Sequence, residues 1–263
     1  MCRQGISAEL KDRQHKALSK VLPELMERII WLKSLPESFS GVVIANEVLD
    51  ALPAKRLIKN ADGFRELGVD YQAGKLVWQE FNQPYINDKI LLPNQAENGY
   101  TTEINPRALA WINTLGEVLE RGLILLIDYG FTQAEFFHPQ RHAGTLRCYY
   151  QHQASDNPFV NIGAQDITTS VNFSALAQQA KKSGLSVEGF ATQAMFLISL
   201  GISEYLSAEN NKQKRTELAA EIKQLVLPGA MGESFKVLAL SKKTKVKSGK
   251  LTGFLEQDLT YKL

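Results

Sequence analysis

Apolar residues follow three different rhythms along this chain. Two short stretches are continuously apolar, Gly41-Val42-Val43-Ile44-Ala45 and Leu123-Ile124-Leu125-Leu126-Ile127. Each stops abruptly at polar groups: Asn46, Glu47 and Asp50 after the first, Asp128 and Tyr129 after the second. Runs of this length without alternation fit parallel strands buried on both faces. Helical spacing appears at Leu109, Ile112, Leu115, Val118 and Leu119, after Asn105-Pro106. There the asparagine supplies a cap, the proline fits the first helical position, and Gly122 ends the element. Ser7 likewise caps a helix running through Glu9, Leu10, Gln14 and Leu18, and further helices are predicted at 173–183, from near Thr192, and at about 209–226. Residues 64–81 read as a hairpin turning near Ala73-Gly74, with later strands near Leu185–Phe190 and Phe235–Ser241. Pro23 followed by Ile29-Ile30-Trp31 predicts a short strand, and residues 131–170 read as mostly loop. The alternation of strands and helices predicts one α/β domain over 1–263.

Composition narrows the function classes. The 263 residues are 44% hydrophobic and 22% charged, with a formal charge of +2. That balance gives no argument for nucleic acid or an anionic membrane surface as partner. No apolar run reaches the roughly 18 residues of a membrane span. Met1-Cys2-Arg3-Gln4-Gly5 has no apolar core, so no secretory signal is predicted and a cytoplasmic location is expected. Cys2 and Cys148 share no metal-type spacing, which predicts a reduced compartment and no structural metal. The basic cluster from Lys242 to Lys250 reads as a solvated segment.

Ligands of open α/β sheets bind at the carboxyl ends of the strands. If the two apolar runs are neighbours, Asn46, Glu47, Asp50, Asp128 and Tyr129 share one crevice. Carboxylates there suit hydroxyl groups, a cation or general-base work. Helix caps followed by ordinary solvated acids are the other reading. His15 is expected on a helix surface, and His138, His142 and His152 in solvated loop.

The run Ala45-Asn46-Glu47-Val48-Leu49-Asp50-Ala51-Leu52-Pro53 resembles the signature of the MidA-type S-adenosylmethionine-dependent methyltransferases, a group that includes the mitochondrial complex I assembly methyltransferase. Further stretches match in order: Ser7–Gln14, Leu126–Gly130, Gly144–Tyr149, Gln165–Thr168 with Val171–Phe173, Phe196–Ile202 and Met231–Leu238. The resemblance implies a Rossmann-like class I methyltransferase sheet with an inserted substrate-facing region. It implies S-adenosylmethionine as cofactor and a protein substrate, such as a respiratory complex subunit, methylated on arginine; a eukaryotic member would work in the mitochondrial matrix. Glu47, Asp50, Asp128 and Tyr129 would be catalytic, and Ser7, Asn46 and Glu47 would face the cofactor, with no metal. For Asp128, a buried helix-capping role is the structural alternative.

The family carries a first strand, a glycine-rich turn and a ribose-binding acid ahead of the Ser-Ala-Glu-Leu helix. Here Gly5 stands where that acid is expected, and no glycine-rich loop appears. The expectation is therefore an N-terminally incomplete member, weak in cofactor binding. Methyltransferase activity and a non-catalytic remnant acting as a protein-binding or assembly factor remain open at this point; a different Rossmann-like nucleotide-binding enzyme, such as a hydrolase using Asp128, is disfavoured by the missing glycine-rich phosphate loop.

Overall fold

The computed structural model describes residues 8–85, 92–93, 95–151, 153–244 and 249–263. Helix α1 (Ala8–Val21) and a 3-10 turn (Pro23–Arg28) lead into strand β1 (Phe39–Asn46). Then come β2 (Lys55–Asn60), β3 (Gly63–Gln72), β4 (Lys75–Pro84) and β5 (Thr101–Ile104). Helix α2 (Pro106–Val118) feeds the long β6 (Leu119–Phe131), followed by the short α3 (Gln133–Phe136). Strands β7 (Arg147–Tyr150), β8 (Gln153–Ser155), β9 (Asp166–Thr168) and β10 (Val171–Asn172) precede α4 (Phe173–Lys182). The chain continues through β11 (Ser186–Thr192), α5 (Gln193–Ser199), α6 (Ile202–Ala208), α7 (Lys212–Val226) and β12 (Phe235–Lys242).

The central sheet runs β1-β6-β12-β11, with β10 paired to the far end of β6. Strands β1 and β6 are parallel, in register from Val42 opposite Leu123 to Asn46 opposite Ile127. The two apolar runs are therefore neighbours, and their polar ends meet. Strand β12 lies antiparallel on the other side of β6. A second sheet, β4-β3-β2-β5, is inserted between β1 and α2, and a third, β8-β7-β9, between α3 and β10.

Strand β6 is covered on both faces, as its run predicts, fully on one and partly on the other. Ile124 and Leu126 join the larger core with Ile112, Leu115, Phe173, Leu176 and Phe190. Leu125 and Ile127 pack against the opposite core around Val237, Ala239 and Phe254. Strand β1 departs from the two-faced expectation. Ala45 lies in the larger core and Val43 packs against it, yet Val42 and Ile44 are 64% and 69% exposed. The covering built from Phe254 and α5 reaches β6, β11 and β12, and among the described residues it does not extend over β1.

Other departures have local causes. Residues 29–31 form no strand; the Trp31 indole instead donates to Gln14 and stacks on His15, 5.5 Å between centroids. The expected helix over 209–226 is α7 alone, separated from α6 by the Asn211 cap. The 131–170 stretch holds α3 and the β7–β9 sheet, whose strands of three or four residues are too short to show periodicity. The β3–β4 hairpin, by contrast, turns at Ala73 and Gly74 as expected, both in the left-handed region that twisted two-residue turns need. Ser7 and His152 lie outside the described residues.

Close strand approach rests on glycine. A Cβ on Gly130 would stand 2.2 Å from the Val171 carbonyl oxygen, whereas one on Gly41 meets nothing within 4 Å. Gly130→Ala should therefore part β10 from β6 and cost about 1–3 kcal/mol, while Gly41→Ala should change stability by less than about 0.5 kcal/mol. Urea denaturation of the two variants checks this, and equal losses would contradict it.

Candidate functional site

The residues after β1 cannot continue the sheet, so their backbone groups need other partners. Glu47 N–H still follows the parallel ladder and donates to the Ile127 carbonyl at 2.9 Å. Beyond it the chain turns away. The Leu49 and Asp50 amides both donate to Asp128 Oδ2, at 3.0 and 3.3 Å, and the Tyr129 amide donates to Oδ1 of the same carboxylate at 2.9 Å. Asp128 is thus neither an exposed acid nor a helix cap. Only 1% exposed, it clips the loop after β1 onto the end of β6.

That clip sets Asp50 in place. Its side chain is 7% exposed, and its Oδ2 accepts the Tyr129 hydroxyl at 2.9 Å. Its Oδ1 is buried without a hydrogen-bond partner. The Tyr129 ring is steadied edge-on by Phe235, 5.6 Å between centroids. Burial, reinforced by the acids Asp50 and Asp128, raises the Tyr129 phenol well above its ordinary value, so the hydroxyl stays protonated and donates. The Asp50 carbonyl accepts the Thr169 amide at 3.4 Å, which ties the segment after β9 to the same loop.

Asn46 and Glu47 are exposed at the tip of β1, the Asn46 amide donating to Glu47 Oε1 at 3.3 Å. Glu47 adopts φ +49°, a left-handed conformation that costs a non-glycine residue on the order of 1 kcal/mol. Such strain concentrates at functional positions. Among the sequence-predicted residues, Asp50, Asp128 and Tyr129 form one hydrogen-bonded cluster, and Asn46 and Glu47 stand at the adjacent strand tip.

Sequence reasoning passed over three contributors. Thr169 is one. Asn105, read as a cap, also donates to the Leu49 and Leu52 carbonyls at 3.2 and 3.0 Å. Glu103, 2% exposed at the end of β5, accepts both the amide and the hydroxyl of Thr145, at 2.6 and 3.0 Å. Asn105-Pro106 was the one local signal available; the partners of Glu103 lie too far along the chain for a pattern to show. Among the described residues no His, Cys, Asp and Glu group has metal-holding geometry.

Burial, and then the charge of Asp50, push the Asp128 carboxyl up to about 7 against the pull of its three amide donors. A raised carboxyl binds its proton more tightly in the folded chain than in the unfolded one. The stability it contributes is complete below about pH 4 and is lost as pH rises through about 7. Burial also raises Glu103, which acts in the same direction. The part belonging to Asp128 is therefore the difference between the native chain and Asp128→Asn. Urea denaturation between pH 5 and 8 should show a steeper decline in the native chain; equal slopes would contradict the assignment.

Comparison with known proteins bears on the chain as a whole. Residues 5–191 match the sequence profile of a family described as "Putative S-adenosyl-L-methionine-dependent methyltransferase". Among curated proteins, the mitochondrial protein arginine methyltransferase NDUFAF7 homolog of Caenorhabditis elegans is 29% identical over 229 residues, covering 82% of this chain and 51% of that protein. Human mitochondrial NDUFAF7, a protein arginine methyltransferase, is 27% identical over 243 residues, covering 84% and 50%. The chain thus spans about half the length of the curated relatives it matches. A Burkholderia thailandensis protein crystallised with S-adenosyl-homocysteine superposes with a TM-score of 0.91 at 38% identity, over 98% of this chain and 67% of its own. A class I methyltransferase-like sheet and a profile match across most of the chain agree, and the chain belongs to this S-adenosyl-L-methionine-dependent methyltransferase family.

Proposed function

We propose that this chain works as an S-adenosylmethionine-dependent protein methyltransferase, with an arginine guanidinium as acceptor. One observation carries the reading: a buried carboxylate, Asp50, has one oxygen fixed by Tyr129 and the other unclaimed. A buried polar atom without a partner is costly, of the order of 1–3 kcal/mol. That cost is offset if a ligand supplies the missing donor. A guanidinium offers planar N–H forks and positive charge, the complement of a fixed carboxylate. The curated relatives named as protein arginine methyltransferases point to the same acceptor.

The residues fit the cofactor at the strand tip. Asn46 and Glu47 present an amide and an exposed carboxylate, suited to the hydroxyls or amino group of S-adenosylmethionine. When bound, the cofactor supplies an electrophilic methyl group on a sulfonium. Asp50 holds and orients the acceptor nitrogen, Tyr129 keeps Asp50 from turning, and Asp128 keeps the loop on β6. Catalysis of this kind comes from positioning and electrostatics, with no covalent step on the protein. The sheet inserted between β1 and α2 and the β7–β9 sheet supply the surface for the protein carrying that arginine.

Asp50→Asn should lower kcat about 100- to 1,000-fold with little change in melting temperature, measured by methyl transfer to an arginine- and glycine-rich peptide. Glu47→Gln should weaken S-adenosylmethionine binding roughly tenfold, read by calorimetric titration. Near-native turnover in Asp50→Asn would remove Asp50 from the site, and unchanged affinity in Glu47→Gln would do the same for Glu47.

A further inference from the structure

We infer that Asn105 is a positioning residue for Asp50, and that this second task is why asparagine stands at the cap of α2. The inference rests on the reading of Asp50 as the group that holds the acceptor. Capping alone does not require asparagine, since serine, threonine or aspartate accept the same amide hydrogen bond. Here Asn105 Oδ1 accepts the Ala108 amide at 2.9 Å, which completes the cap. Its Nδ2 then reaches across to the Leu49 carbonyl at 3.2 Å and the Leu52 carbonyl at 3.0 Å. Only an amide side chain offers an acceptor to the helix and a pair of donors to the loop at once.

The geometry makes the loop a clamped object. Asp128 takes the amides of Leu49 and Asp50, and Asn105 takes the carbonyls of Leu49 and Leu52. Leu49 is thus gripped through its N–H by β6 and through its C=O by α2. Asp50 follows it directly, so the direction of its free Oδ1 depends on both grips. Without Asn105, the Leu49–Asp50 peptide unit keeps its amide bond to Asp128 and loses its carbonyl bond, so it is free to tilt about the amide end.

The test uses Asn105→Asp, which keeps the cap acceptor and cannot donate to the loop carbonyls, with Asn105→Ser as a second cap-preserving variant in case the added charge impairs folding. Hydrogen exchange should rise about tenfold at the Leu49 and Asp50 amides and stay unchanged at Ala108. Turnover on an arginine- and glycine-rich peptide should fall about tenfold in kcat, with KM for the peptide nearly unchanged. The double variant with Asp50→Asn should be no slower than Asp50→Asn alone. Unchanged exchange at Leu49 and Asp50, or unchanged kcat in a chain that Asp50→Asn inactivates, would reduce Asn105 to a cap. Additive losses in the double variant would show that it does not act through Asp50. Full activity in Asp50→Asn would overturn the reading beneath the inference, and is told apart by that variant alone.

Discussion

The carboxylate of Asp128 is the joint on which the rest of the site depends. Where a chain peels off the end of a parallel strand, its amides lose their ladder partners while still largely buried. Water cannot reach them, and an unpaired buried amide is expensive. Asp128 resolves this from the neighbouring strand, taking two amides of the departing loop and one of its own. Because β1 and β6 are in register up to Asn46 and Ile127, the carboxylate arrives one residue beyond the last pair. Had it been placed one position earlier, the alternation of β6 would have sent it to the opposite face.

Much of this was legible because burial leaves a plain mark on sequence. The Val-Val-Ile-Ala and Leu-Ile-Leu-Leu-Ile runs located the two adjacent strands, and their polar ends located the cluster. Asn105-Pro106 located α2, capped as expected. What stayed hidden has a common cause: the deciding partner lies far away in sequence. Val42 and Ile44 look like core residues, and the chain alone does not say that the covering of the second face ends at β6. Trp31 belongs to an apolar triplet, yet its indole is claimed by Gln14 and His15. Strand β5 reads Thr-Thr-Glu-Ile, a pattern of an exposed strand, and all four residues are buried.

Glu103 explains that last case. Thr145 satisfies one of its oxygens twice over, Arg56 approaches the other at 3.8 Å, and Gly144, at φ +79°, brings the backbone so near that a Cβ would collide with the carboxylate. The Thr145 hydroxyl in turn accepts the Ser170 amide at 3.2 Å. Arg56 stacks over Trp78, 4.9 Å from the ring centre, and Trp78 packs on Phe159 at 5.0 Å. The Gly144-Thr145 stretch is therefore not a loop that happens to resemble its relatives. It is the seam along which both inserted sheets are fastened beside the strand ends.

Glu47 carries a consequence for anyone who evolves this scaffold. Its left-handed backbone is one that glycine adopts without strain and asparagine with little. Selection for thermal tolerance alone would therefore favour replacing this residue, since relief of the backbone would register as an improvement. The same exchange would remove the exposed carboxylate at the tip of β1. Given the cofactor-facing role proposed for Glu47, heat resistance and chemistry pull this position in opposite directions, and a library screened only for survival at high temperature would select against the acid.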